Sequence, residues 1–214
     1  MPKEKIDLYK LHKDEYAAPR KPVIVTIKKA NYLAIEGSGA PGSDLFQKCI
    51  GALYSAAFTI KMTRKFAGLQ DYAVCKLEGL WWADSKTPFL DLPKDQWRWK
   101  LMIRTPDFIA TKDLKAALEA LRKRGKGVGV DRVRLEAISE GSCVQMLHFG
   151  PYDDEPETIE LMRAHAAANK KKFCGLHHEI YLSDPRRVPA NRLKTILRQP
   201  IISALRPGEA RLLR

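Results

Sequence analysis

At 214 residues and 45% hydrophobic side chains, the chain is long enough to bury one large core or two small fused ones. No stretch reaches the roughly 18 to 20 apolar residues of a membrane helix, and Met1-Pro2-Lys3-Glu4-Lys5 opens no apolar leader, so a cytoplasmic protein without membrane contact is expected. The formal charge of +13 is concentrated, with eight Lys/Arg against one acid in 185–214 and eight against three in 112–134. That is a solvated helix and a basic tail, suited to weak polyanion contact through the tail. Cys49, Cys75, Cys143 and Cys174 stand far apart without a Cys-x-x-Cys pair, which points to free thiols, and no metal site is expected.

In chain order, residues 1–22 are polar and mixed in charge and read as an arm laid over the body. Residues 23–27 are β-branched throughout, and 32–37 continue a sheet. Gly37-Ser38-Gly39-Ala40-Pro41-Gly42 breaks it; lacking the Gly-Lys-Ser/Thr of a phosphate loop and the spacing of a dinucleotide loop, it reads as a turn. Ser43-Asp44 caps a helix running to about residue 64, apolar on two stripes and therefore covered on more than one side. Strands over 73–82 and 97–104 follow, then a connector over 105–130 with a short amphipathic helix built on Leu114, Ala117, Leu118 and Leu121.

The pattern then starts again. Strands at 133–137 and 143–149 precede a break at Gly150-Pro151-Tyr152, and a helix over 155–173 has acids at its start and lysines at its end, matched to the helix dipole. A strand from 177 is closed by Ser183-Asp184-Pro185. The predicted class is α+β. Two strand-helix-strand-strand units, about 23–104 and about 131–185, form a pseudo-two-fold antiparallel sheet with helices on one face and a ligand cleft between the halves. Residues 186–214 are left as the basic tail.

Each half carries a glutamate strand after its long helix, Leu77-Glu78-Gly79-Leu80-Trp81-Trp82 and His178-Glu179-Ile180-Tyr181-Leu182. Side chains alternate along a strand, so His177, Glu179 and Tyr181 share a face. A carboxylate on a buried face needs a partner, which a ligand cation, a catalytic water or a neighbouring Arg each supplies. Glu179 and Glu78 are candidate bases and Tyr181 a candidate donor. All four tryptophans, Trp81, Trp82, Trp97 and Trp99, fall within 81–99. With Tyr54, His148 and Tyr152 they are candidate walls of a pocket for flat aromatic molecules, through stacking and cation–π contact. Burial in a core is the competing use for any one of them.

These residues carry a resemblance. His148-Phe149-Gly150-Pro151-Tyr152, Leu77–Trp82 and His178-Glu179-Ile180-Tyr181-Leu182-Ser183-Asp184-Pro185 are similar to motifs of stand-alone members of the GyrI-like small-molecule-binding family, over about 23–198. No winged helix or helix-turn-helix precedes the domain, so sequence-specific DNA binding is not expected. The resemblance implies a pocket between the halves with Glu179 at its centre, facing bulky aromatic ligands. It also implies, by likeness to the cyclopropanoid cyclopropyl hydrolases, a cofactor-free reaction that opens the strained cyclopropane of DNA-alkylating natural products. A module that sequesters such ligands without chemistry is the alternative, and polyanion binding through the tail ranks third.

Overall fold

The computed structural model describes residues 4–126 and 129–204. Its strands are β1 (Val23–Ile27), β2 (Ala30–Ser38), β3 (Glu78–Trp82), β4 (Arg98–Thr105), β5 (Arg134–Ile138), β6 (Gly141–Phe149), β7 (Lys171–Phe173), β8 (His177–Tyr181) and β9 (Lys194–Ser203). All pairings are antiparallel, in the order β1-β6-β9-β8-β3-β4-β2-β5, with β7 paired to β9. The order is symmetric about the β3–β8 contact: β4 and β2 flank β3 as β9 and β6 flank β8. The two glutamate strands therefore lie side by side at the centre.

The outer strands add a feature that the sequence did not announce. Register runs on without slip from Val23↔Gln145 through Ile27↔Gly141 and Ala30↔Ile138 to Ala34↔Arg134. Thus β1–β2 and β6–β5 form one long bent ribbon, half of it joined to each side of the sheet. Its bend carries Glu140 to the sheet centre, where the carboxylate meets His178 and Arg198.

Three helices pack the face that carries Leu33, Ile35, Trp99 and Leu101. The longest, taken here with the two short helices of the arm, is numbered in chain order: α1 (Leu8–Leu11), α2 (Lys13–Tyr16), α3 (Asp44–Phe66), α4 (Thr111–Lys123) and α5 (Glu155–Ala168). The Ser43 hydroxyl caps α3 by accepting from the Phe46 N–H. The apolar stripes of α3 bury Phe46, Cys49, Leu53 and Ile60 against β2, β4 and α4. A smaller core joins α5 to β6 and β9 through Val144, Met146, Met162 and Leu197.

Three expectations change. The helix over 155–173 ends at Ala168, because Asn169 caps it and Lys170, at φ 56°, turns the chain into β7. Of 73–82, only Glu78–Trp82 is strand; Tyr72 makes an isolated bridge to Ile6 of the arm. Residues 194–203 are not tail but β9, between β6 and β8. Pro200 and the basic residues disguised it, since proline is rare inside a sheet and a fully buried Arg rarer; Arg198 is 0% exposed. Of the expected tail, 205–214 lies outside the described residues. No helix among those described is long and apolar enough to cross a membrane.

Candidate functional site

Register decides which central side chains meet. Gly79, not Glu78, stands opposite Glu179, and Glu78 stands opposite Ile180. A one-residue offset places side chains on opposite faces, so Glu179 faces α3 and α5 while Glu78 faces the arm. The expectation of Glu78 as a second base in the same cleft is therefore corrected. Glu78 is 0% exposed; it accepts from the Tyr16 hydroxyl (3.0 Å) and from His178 Nε2 (3.0 Å).

That inner face is a closed ion network. His178 Nδ1 faces Glu140 at 3.0 Å, Arg198 reaches Glu140 at 3.0 Å, and Arg104 reaches Glu15 at 2.7 Å. Burial alone would lower the His178 pKa, but Glu140 and Glu78 carry it up to about 9. Burial likewise opposes ionisation of Glu140, and His178 with Arg198 hold it at about 2. His178 is thus an imidazolium donating from both nitrogens.

On the other face a cleft of about 940 Å³ lies over β3 and β8, between α3 and the start of α5. Trp81, Trp97, Tyr54, Tyr152, Glu179 and Tyr181 all line it. Trp97 donates Nε1–H to the Leu92 carbonyl (3.0 Å) and stands edge-on to Trp81, with 5.7 Å between ring centroids. Tyr152 is edge-on to Tyr181 at 6.0 Å.

Three predicted wall residues lie elsewhere. Trp82 is on the inner face, packed with Leu80, Tyr32 and Met102. Trp99 is fully buried with its ring across Gly37, where an added Cβ would fall 2.1 Å from the ring, and it donates to the Gly39 carbonyl. His148 is buried between Thr158 Oγ1 (2.9 Å) and the Pro151 carbonyl (2.9 Å), and so pins the turn that starts α5. It positions Tyr152 and does not line the cleft.

At the floor, the Tyr181 hydroxyl donates to Glu179 Oε2 (2.7 Å) and accepts from Trp81 Nε1–H (3.1 Å). Gly79 makes room for this chain: a Cβ there would lie 3.0 Å from Trp81 Nε1 and 3.1 Å from the Tyr181 oxygen. Burial raises the Glu179 pKa to about 7, even with the Tyr181 hydroxyl and the His178 charge pulling it down. Burial, then the charge and hydrogen bond of Glu179, push Tyr181 well above a normal phenol.

Glu155, which sequence reasoning passed over, and His177, which it placed on this face without a role, join them. Glu155, first residue of α5, is 4% exposed and is raised well above a normal carboxyl by burial and by the neighbouring Glu179 charge. His177 lies 3.8 Å from Glu179 Oε1, its pKa lowered to about 4 by burial and by cationic His178. One N or O atom of each of Glu155, His177 and Glu179 lies within 4.8 Å of the others. Strand alternation had put His177 on the right face. Glu155 gave no signal beyond an acid at a helix start, where the dipole already explains it.

The model of the GyrI-like small molecule binding domain matches residues 20–201. The chain belongs to the GyrI-like family. Solved structures agree at the level of the whole fold. An uncharacterized conserved protein from Listeria innocua is 38% identical with a TM-score of 0.87, covering 92% of this chain and 100% of its own. A hydrolase from the same organism is 36% identical (TM-score 0.84, 92% and 100% coverage), and another is 37% identical (TM-score 0.86, 93% and 100% coverage). No curated protein matches the sequence. As a GyrI-like domain the chain binds small molecules, and the aromatic cleft over β3–β8 has the size and the lining that such a ligand needs.

Proposed function

We propose that this protein is a cytoplasmic hydrolase of bulky aromatic compounds. Its reaction opens the strained cyclopropane of DNA-alkylating natural products by attack of water, which protects the cell. The observation that carries this reading is Glu179: a carboxyl on the floor of an aromatic cleft, oriented by Tyr181, and poised by burial at a pKa of about 7. A base with a pKa near the working pH best combines the right protonation state with proton affinity. The two Listeria proteins described as hydrolases support catalysis in this fold.

In this mechanism Trp81, Trp97 and Tyr54 hold the planar substrate, and Glu179 takes a proton from water as it attacks the ring carbon. Tyr181 spends its proton on Glu179 and so serves first to orient the base. Once Glu179 is protonated that hydroxyl is released, and Tyr181 or the adjacent Tyr152 donates to the oxyanion forming on the conjugated carbonyl. The test is product mass after incubation with a cyclopropane-bearing indole. A water-added product is expected. Tight binding with unchanged ligand would instead establish the second reading, sequestration, for which the same aromatic walls suffice. Polyanion contact through the basic C-terminal residues stays the third reading; Arg198, buried and paired with Glu140, takes no part in it.

A further inference from the structure

Among the described residues, His177 Nε2 and Glu155 Oε1 are buried polar atoms without a hydrogen-bond partner, and both belong to the cluster around Glu179. Buried polar atoms are nearly always paired, so two orphans at one spot need a physical account.

The tautomer of His177 follows from its neighbour. Gln199, whose side chain lies beside His177, donates its amide N–H to the Cys174 carbonyl and so has only its amide oxygen to offer the histidine. An acceptor on that side favours the proton on Nδ1, and Nε2, which has no partner, presents a bare lone pair. This lone pair faces Glu179 Oε1 at 3.8 Å. Two acceptors face each other there, and Phe89, tilted against the imidazole with 5.7 Å between centroids, packs the ring in place. Acceptors so placed repel unless a donor lies between them. Because the three ligand atoms are within 4.8 Å of one another, one oxygen can sit about 2.8 Å from each, an ordinary hydrogen-bond length.

We infer that His177 is a second catalytic residue: a water donates one hydrogen to Glu179 and the other to His177 Nε2, which aims the oxygen lone pair into the cleft. The inference rests on the hydrolase reading above. Glu155, whose carboxyl burial holds toward the protonated form, closes the third side of the cluster. In the step itself the water oxygen bonds to the ring carbon and a cyclopropane C–C bond breaks. Its electron pair passes through the conjugated system to the carbonyl oxygen, which becomes an oxyanion and then takes a proton from a cleft phenol. The water proton held by Glu179 goes to Glu179, which passes it on to the phenolate left behind, so that both groups return to their starting state. The hydrogen held by His177 stays on the product hydroxyl, so His177 remains neutral throughout. The sum is addition of one water, with nothing oxidised or reduced.

The experiment compares wild type, His177→Phe and His177→Gln with a cyclopropane-bearing indole, reading kcat and KM by product mass and affinity by tryptophan quenching. Phe keeps an aromatic ring against Phe89 but has no lone pair; Gln restores an acceptor. Expected is a fall in kcat on the order of 10- to 100-fold for Phe, with affinity within about twofold of wild type and partial recovery in Gln. Wild-type kcat in the Phe variant overturns the inference while leaving the hydrolase reading intact. No product from wild type overturns both. Manganese or zinc alone, titrated into the protein, serves as the second probe: stoichiometric binding lost in His177→Phe and Glu155→Gln would show that the cluster holds a cation, and also overturns the water assignment.

Discussion

On the face of β3 and β8 turned toward the arm, Glu15, Glu78 and Glu140 meet Arg104, Arg198 and a doubly protonated His178. On the face turned toward α3 and α5, Glu155 and Glu179 meet each other, an uncharged histidine and two aromatic donors, and among the described residues neither carboxyl is in a salt bridge with Lys or Arg. The same two strands present both arrangements, back to back and a few ångströms apart. Where charge is balanced, pKa values spread away from neutrality, to about 2 for Glu140 and about 9 for His178, and the groups are locked. Where it is not, a carboxyl is brought to about 7 and can exchange its proton under ordinary conditions. The inner face is held in one ionisation state, and the cleft face keeps a carboxyl that can exchange its proton.

That contrast breaks most visibly at its two centres. Glu179→Gln keeps shape and hydrogen bonding but removes the base, and turnover should fall on the order of 10²- to 10⁴-fold with ligand quenching retained. Arg198→Met should do the opposite. It leaves Glu140 buried with half its partners, costs about 3 to 5 kcal/mol in urea unfolding, and leaves the affinity of the folded protein for aromatic ligands unchanged.

Smaller changes sharpen the division. Gly79→Ala inserts a methyl onto the Trp81–Tyr181 hydrogen bond, so kcat should drop about tenfold through misplacement of Glu179, with melting temperature little affected. Trp97→Ala should weaken aromatic ligand binding by about tenfold, whereas Trp82→Ala, on the inner face, should leave affinity as it is and cost stability alone.

The two faces should also separate in pH. His178 has a folded pKa raised above its ordinary value of 6.5, so its stabilisation is complete below 6.5 and is lost as pH rises through about 9. Urea midpoints should therefore fall between pH 7 and 10. Turnover, by contrast, should rise through pH 7 as Glu179 ionises. If both profiles bent at the same pH, the separation of the faces would be wrong.

Much of this was legible in the sequence. The α+β class follows from periodicity and turn residues, and the two glutamate strands stand out as a pair because each comes after a long helix. The cleft's aromatic character follows from the tryptophan cluster. Register was not legible: a slip of one residue between β3 and β8 exchanges Glu78 for Gly79 and Trp82 for Trp81, and nothing local fixes it. The role of β9 was hidden because Arg198 counts as surface charge until Glu140, 58 residues away in sequence, is seen to neutralise it. Glu155 was hidden because a helix start already accounts for an acid.

The most direct test of the central claim is to incubate wild type and Glu179→Gln with a cyclopropane-bearing, DNA-alkylating indole in oxygen-18 water and to follow product mass alongside tryptophan fluorescence. The account predicts quenching in both proteins and one labelled oxygen added to the ring-opened product by wild type alone. Equal labelled product from both, or quenching without product from wild type, would contradict it.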